Sequence, residues 1–322
     1  MKTIFYTGTF KGIDSIVLEN DNLRLEWLPS YGAKLASLLL KSNNQQHELL
    51  YQSPLEKLIT PNYGDLFSNY DSSGFDECFP SIDPCTLTIK DGKSVRTLAV
   101  PDHGEVWAMP WEYSQIDEST LEFTVSSNEL GYTLVKTINL QANGVNCHYV
   151  LTLSEQTPSL PFLWTPHALF NYDEDTRLII PNRMDRVINV CPEGGFLGRY
   201  GEVHSYPETE KASNGHLDLS IFERCNEASC EKFYFEEMLN TEDVFGFENR
   251  AYKVLLSVDE KVSPYLGIWK NQGACGEHHN FALEPCSGIY DSVEGAVENK
   301  TCAIATNLKP THWDFNINIV GK

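Results

Sequence analysis

Apolar residues in this chain recur at every second position. In Trp313–Ile319, Trp, Phe, Ile and Ile alternate with Asp, Asn and Asn. Successive side chains of an extended backbone point to opposite faces, so the pattern predicts a strand with one buried and one wet face. A second strand, VNCHYVLTL, places Val145, Cys147, Tyr149, Leu151 and Leu153 on one face. His148 falls on the other face and reads as structural or solvated. Asn143-Gly144 separates this strand from TLVKTINL, a strong hairpin signal. Asp91-Gly92, after Leu87 and Ile89, predicts another. Further strands are predicted at NLRLEWL, LEFTVSS, KVLLSV, PYLGIWK, NFALEP and TCAIATNL. No long stretch carries a helical period. The acidic region 208–240 is expected to hold one or two short helices, broken at the SNG of 213–215. No repeat, linker or low-complexity tract divides residues 1–322, so the expectation is one all-β domain, a large antiparallel β-sandwich.

Composition narrows the function. With 45 acidic against 24 basic residues, the net charge of −21 repels nucleic acid and anionic membranes. No apolar run approaches the ~20 residues that span a bilayer, and the start, MKTIFYTGTFKGIDS, has no signal-peptide pattern. Nine cysteines without a CxxC pair suit reduced thiols and a cytoplasmic location. Cys225 and Cys230 are too loosely spaced for a zinc site, and no metal is expected.

Three titratable groups sit in unusual settings. His103 precedes Gly104 and is followed by Trp107 and Trp111 in PDHGEVWAMPWEY; the glycine permits a tight turn and the indoles offer a flat apolar wall. His167 lies within the apolar run LPFLWTPHALF. In NFALEPCSG the strand period places Ala282 and Glu284 on one face, Phe281 and Leu283 on the other, and Pro285 ends the strand. Each group alone has a structural explanation. Together, among aromatic residues, they suit a sugar site, because aromatic faces stack on a pyranose while imidazole and carboxylate groups handle its hydroxyls. Glu277-His278-His279 reads as an exposed loop, since neighbours on an extended chain point apart. GGFLGRYG at 194–201 lacks the strand–helix context of a phosphate loop.

These segments, in this order, resemble the galactose mutarotase (aldose 1-epimerase) superfamily. His167-Ala-Leu-Phe-Asn171 is similar to its His-Pro-Tyr-Phe-Asn segment, His103-Gly104 to its earlier His-Gly motif, and Ala282-Leu-Glu284-Pro285 to its C-terminal strand. LPSYGAKLASLLL at 28–40 is similar to the Gly-Ala segment of its N-terminal strands. The resemblance implies the galactose mutarotase-like supersandwich and cofactor-free interconversion of sugar anomers. By it, Glu284 is the base at the C1 hydroxyl, His167 the acid at the ring oxygen across the anomeric carbon, and His103 a group that holds and polarises the ring oxygen or a neighbouring hydroxyl. Asp243 in TEDVFGF resembles the family's hydroxyl-gripping carboxylate.

One segment departs from the pattern. Where relatives carry an arginine, SNYDSSGFDECFPSIDPC (68–85) has none, and offers Asp71, Asp76 and Glu77 instead. With Trp107, Asp76 and Glu77 complete the expected substrate contacts. A neutral free sugar is therefore expected over a phosphorylated one, unless cations such as Arg96 or Arg177 fold in from elsewhere. Two rival functions remain on the same sandwich. A glycoside-cleaving enzyme would use two carboxylates, Glu284 with Asp243 or Asp76. A sugar-binding protein would keep the cavity without turnover.

Overall fold

The alternation in the sequence becomes a buried face. Along the strand Gly144–Leu153, Val145, Cys147, Tyr149, Leu151 and Leu153 are buried, while Asn146, His148 and Thr152 are exposed. The structure is a computed structural model and describes residues 2–91, 94–191, 195–222 and 228–322. Gly144–Leu153 pairs antiparallel with Tyr132–Gln141 on one side and Thr311–Gly321 on the other. Gln141 lies opposite Gly144, so the hairpin link is Ala142-Asn143, one residue earlier than the sequence signal suggests. Gly144 serves a different end: a Cβ there would lie 2.4 Å from the Ile317 carbonyl oxygen of the neighbouring strand. The second hairpin also forms, with Asp91 opposite Ser94, although Gly92 itself lies outside the described residues.

These strands belong to an eight-stranded sheet that forms one layer. The opposing layer joins a seven-stranded and a five-stranded sheet. Five strands of that layer build the site and are numbered here: β1 (Phe75–Cys78), β2 (Thr165–Ala168), β3 (Ser229–Phe235), β4 (Tyr265–Gln272) and β5 (His279–Cys286). β1 and β2 close the seven-stranded sheet, and β3, β4 and β5 lie side by side in the five-stranded one. The two meet where Phe170, just beyond β2, exchanges backbone hydrogen bonds of 2.7 and 3.2 Å with Phe281 of β5.

Aromatic packing holds the layers together. Tyr149 stacks on Trp313 at 5.1 Å, and Trp164 packs on both at 4.9 and 5.5 Å. Phe170, Phe247 and Phe281 form a second contact, with ring centroids 4.8–5.8 Å apart. Each fully buried large apolar side chain contributes about 1.5–3 kcal/mol.

Region 208–240 corrects the sequence reading. Its described part holds strands, not helices: Glu208–Glu210, His216–Asp218 and β3. All seven residues of β3 are buried, so no alternation marks it as a strand, and its charged Glu231 and Lys232 resemble a solvated stretch. Residues 223–227, including Cys225, lie outside the described residues. The one α-helix among the described residues is Val293–Asn299. No described helix is long and apolar enough to cross a membrane.

Candidate active site

Antiparallel pairing lays out the floor of the site in rows. Gly267 of β4 stands between Tyr234 of β3 and Glu284 of β5, Trp269 between Lys232 and Ala282, and Asn271 between Cys230 and Asn280. Directly opposed residues share a face. As the strand period predicts, Phe281 and Leu283 point the other way, into the core. Glu284, Lys232, Trp269, Asn271 and Asn280 all line a cavity of about 600 Å³. β2 runs beside β5 and delivers His167 to the same cavity.

His103 reaches the site from a tight turn. It adopts φ +58°, and Gly104 follows at φ +72°. A Cβ on Gly104 would lie 2.1 Å from the Phe79 carbonyl oxygen, so the turn requires glycine. Asp102 ties the turn together. Its carboxylate meets His103 Nδ1 at 2.8 Å and accepts the Phe67 amide at 2.9 Å, while its carbonyl accepts Trp107 Nε1 at 2.9 Å. The His103 ring stacks on Phe67 at 4.1 Å and meets the edge of the His167 ring at 5.4 Å.

Glu284 is fully buried and both of its oxygens are engaged. Oε1 meets His167 Nδ1 at 2.7 Å, and Oε2 accepts from Lys232 Nζ. Lys232 Nζ also lies 3.7 Å from Asp291, which accepts the Tyr234 hydroxyl at 2.7 Å. Burial alone would raise the Glu284 pKa, but the Lys232 charge and the His167 hydrogen bond override it and hold the carboxyl at about 2. Burial also holds His167 below the ordinary imidazole range, with His103 and Lys232 adding to the effect against the pull of Glu284. At neutral pH, Glu284 is thus a carboxylate and His167 a neutral ring. A carboxylate only accepts, so the ring proton sits on Nδ1 and the lone pair on Nε2. Asp102 follows a similar logic. Burial pushes its carboxyl up, the hydrogen bond and charge of His103 pull it lower, and the net direction is down.

The structure therefore brings His103, His167 and Glu284 into one cavity, and keeps four other expected residues out of it. Trp107 lies behind Phe67, packed against Phe67, Tyr31 and Tyr70 at 5.0, 6.5 and 5.9 Å, because the Asp102 carbonyl holds its indole inward. Asp76 stands opposite His167 across the β1–β2 pair, but it is committed to buried Lys34 at 2.6 Å. Burial pushes its carboxyl up to about 6 despite that cation. Glu77 faces the core, accepting from Tyr149, Trp164 and Lys136 at 2.8, 2.8 and 3.1 Å. Asp243 caps the turn at 240–243, accepting the Asn240 amide at 2.8 Å and pairing with Arg183. Glu284 and His167 do not face each other across an open space, as a base and acid flanking a sugar would. They touch.

Lys232, Asp102, Asp83 and Asp291 were not singled out as site residues by sequence, yet all line the cavity. Asp102 had a readable signal, a carboxylate beside the His-Gly turn. Lys232 also had one, a lone lysine ahead of the apolar FYF. His278 faces the cavity and bonds Tyr51 at 3.0 Å, while His279 turns away to Tyr172. Arg96 donates to the Glu129 carbonyl, and neither it nor Arg177 lines the cavity.

Compared by sequence, the chain matches no family model and no curated protein. Solved structures are similar over nearly its whole length. A protein of Synechocystis sp. PCC 6803 superposes with a TM-score of 0.71 at 16% identity, covering 98% of this chain and 100% of that one. A galactose mutarotase-like protein from Lactobacillus casei ATCC 334 gives 0.67 at 20% identity, over 95% and 100%. The GalM/aldose epimerase homologue from C. elegans gives 0.66 at 14% identity, over 99% of each chain. The chain thus shares its antiparallel β-sandwich fold with these solved structures.

Proposed function

We propose that this protein is an aldose 1-epimerase acting on neutral reducing sugars. The observation that carries the reading is a pair of histidines, each with Nδ1 on a carboxylate, lining one cavity with their rings 5.4 Å apart. Such a pair suits a reaction that moves one proton off and another onto atoms of a single carbon. The C1 hydroxyl gives its proton to His167 Nε2 as C1=O forms. The C1–ring-oxygen bond breaks, its electron pair goes to the ring oxygen, and His103, entering as imidazolium, donates the proton there. Rotation of the aldehyde and reversal of both transfers return the other anomer and restore both histidines. Asp102 can balance the charge on His103. Glu284, which the family resemblance implies as the base, is assigned here to orienting His167: its oxygens are occupied, and a carboxyl with a pKa of about 2 is a weak proton acceptor at neutral pH.

The lining supports a neutral substrate. Asp83, Asp102, Glu284 and Asp291 contribute four carboxyls. Lys232, already paired, is the one lysine or arginine among the described lining residues. A sugar phosphate brings nearly two negative charges. A like-charge pair at ~4 Å costs on the order of 4 kcal/mol at an effective dielectric near 20, and a third of that is tenfold in affinity. Polarimetry or NMR exchange on freshly dissolved aldoses tests the reading. The expected result is accelerated mutarotation of free hexoses, nearly independent of salt, with kcat/KM at least ~10-fold lower on hexose 6-phosphates. Sugar binding without acceleration would identify a sugar-binding protein instead.

A further inference from the structure

The cavity is longer than one sugar ring requires. Glu284 and Asn280 are four residues apart on β5 and line the same cavity. At a rise of ~3.3 Å per residue the floor between them extends about 13 Å, so a single ring held at His167 leaves the Asn280 end uncovered. Three observations bear on what could cover it. Asn280 is 2% exposed, and its amide oxygen has no hydrogen-bond partner in the protein. Buried amide oxygens are nearly always bonded, so this one is set to receive a donor. Trp269 stands between Lys232 and Ala282 in the middle row, is only partly buried and lines the cavity. The cavity's volume of about 600 Å³ also falls within the ~300–1,000 Å³ of pockets that enclose drug-sized ligands.

We infer that Trp269 and Asn280 form a second carbohydrate subsite, so that the preferred substrate is the reducing end of a disaccharide or longer saccharide. The inference rests on the epimerase reading. The reducing sugar lies at His103 and His167, and the next glycosyl unit lies over the Trp269 face, where aromatic surface meets its C–H face. A hydroxyl of that unit donates to Asn280 Oδ1. No charged group is needed there, which suits a neutral saccharide.

The test compares mutarotation of glucose, maltose, cellobiose and lactose by wild type, Asn280→Ala and Trp269→Ala. At least one disaccharide is expected to show kcat/KM ten times that of glucose. Each variant is expected to cut that disaccharide-to-glucose ratio at least fivefold, whereas general structural damage lowers both rates and leaves the ratio in place. Ratios near one for all three disaccharides, or a ratio unmoved in both variants, would overturn the subsite while leaving the epimerase assignment standing. If no sugar is turned over, the epimerase reading fails. The subsite is then judged by saturation-transfer NMR of the same sugars, where equal signals for glucose and the disaccharides sink it and an Asn280-dependent disaccharide signal upholds it.

Discussion

His167→Asn is expected to lower kcat for mutarotation by ~10²–10⁴-fold, the usual contribution of one positioned proton transfer. Asparagine can still occupy the site beside Glu284, but it has no basic nitrogen with which to take the C1 proton. The pH profile carries the more specific forecast. Burial holds His167 below the ordinary imidazole range, so the acid limb of wild-type activity, where Nε2 takes up a proton, should lie below that range. The variant should lose that limb. The same depressed pKa makes the unfolded chain, near ~6.5 for histidine, the stronger proton binder. Stability contributed at this position therefore falls as pH drops below that value and is retained above it. Activity within tenfold of wild type, with an unchanged profile, would return His167 to a packing role.

The second large effect is expected at Lys232. Lys232→Met leaves Glu284 fully buried without its cation, a change that typically costs ~3–5 kcal/mol. The lowered carboxyl pKa points to the same order of magnitude. The carboxyl moves from 4.5 to about 2 on folding, which corresponds to about 3 kcal/mol of stability at neutral pH. The sign follows from the lowered pKa: this contribution is present above the unfolded value and disappears as pH falls toward the folded value. Urea unfolding should thus show Lys232→Met about 3 kcal/mol less stable at pH 7, with the gap narrowing below about pH 4. Adding Glu284→Gln removes the stranded charge and should recover most of the loss. A single variant within 1 kcal/mol of wild type, or a double variant no better than the single, would mean that the pair does not hold the carboxylate. Removing Lys232 also removes a charge that lowers the His167 pKa, so any remaining activity should lose its acid limb at higher pH than wild type.

Backbone features of this site were readable because they depend on near neighbours in the chain. The period of two placed Ala282 and Glu284 on one face and Phe281 and Leu283 on the other, and β5 keeps that division. The His103-Gly104 turn was visible as a dipeptide, and positive φ at both residues is its physical content. β3 was missed because a strand buried on both faces carries no alternation, and Lys232 was missed with it.

The chain's alternation, hairpins and lack of long helical periods by themselves determined a large antiparallel sandwich, and its local segments marked His103, His167 and Glu284 as titratable groups in unusual, aromatic-rich settings. Only the tertiary structure decided what those groups are to one another. Glu284 meets His167 across 117 residues of sequence and Lys232 across 52. Whether a carboxyl is a free base or a locked anion depends on such contacts and on burial, both absent from any local window. The same holds for the carboxylates that looked available. Asp76 and Glu77 appeared free in an acidic segment lacking a cation, and the fold supplies Lys34 and Lys136 from other strands to bind them. Side-chain direction along a strand is local geometry, whereas charge state is set by whatever the fold brings within a few ångströms.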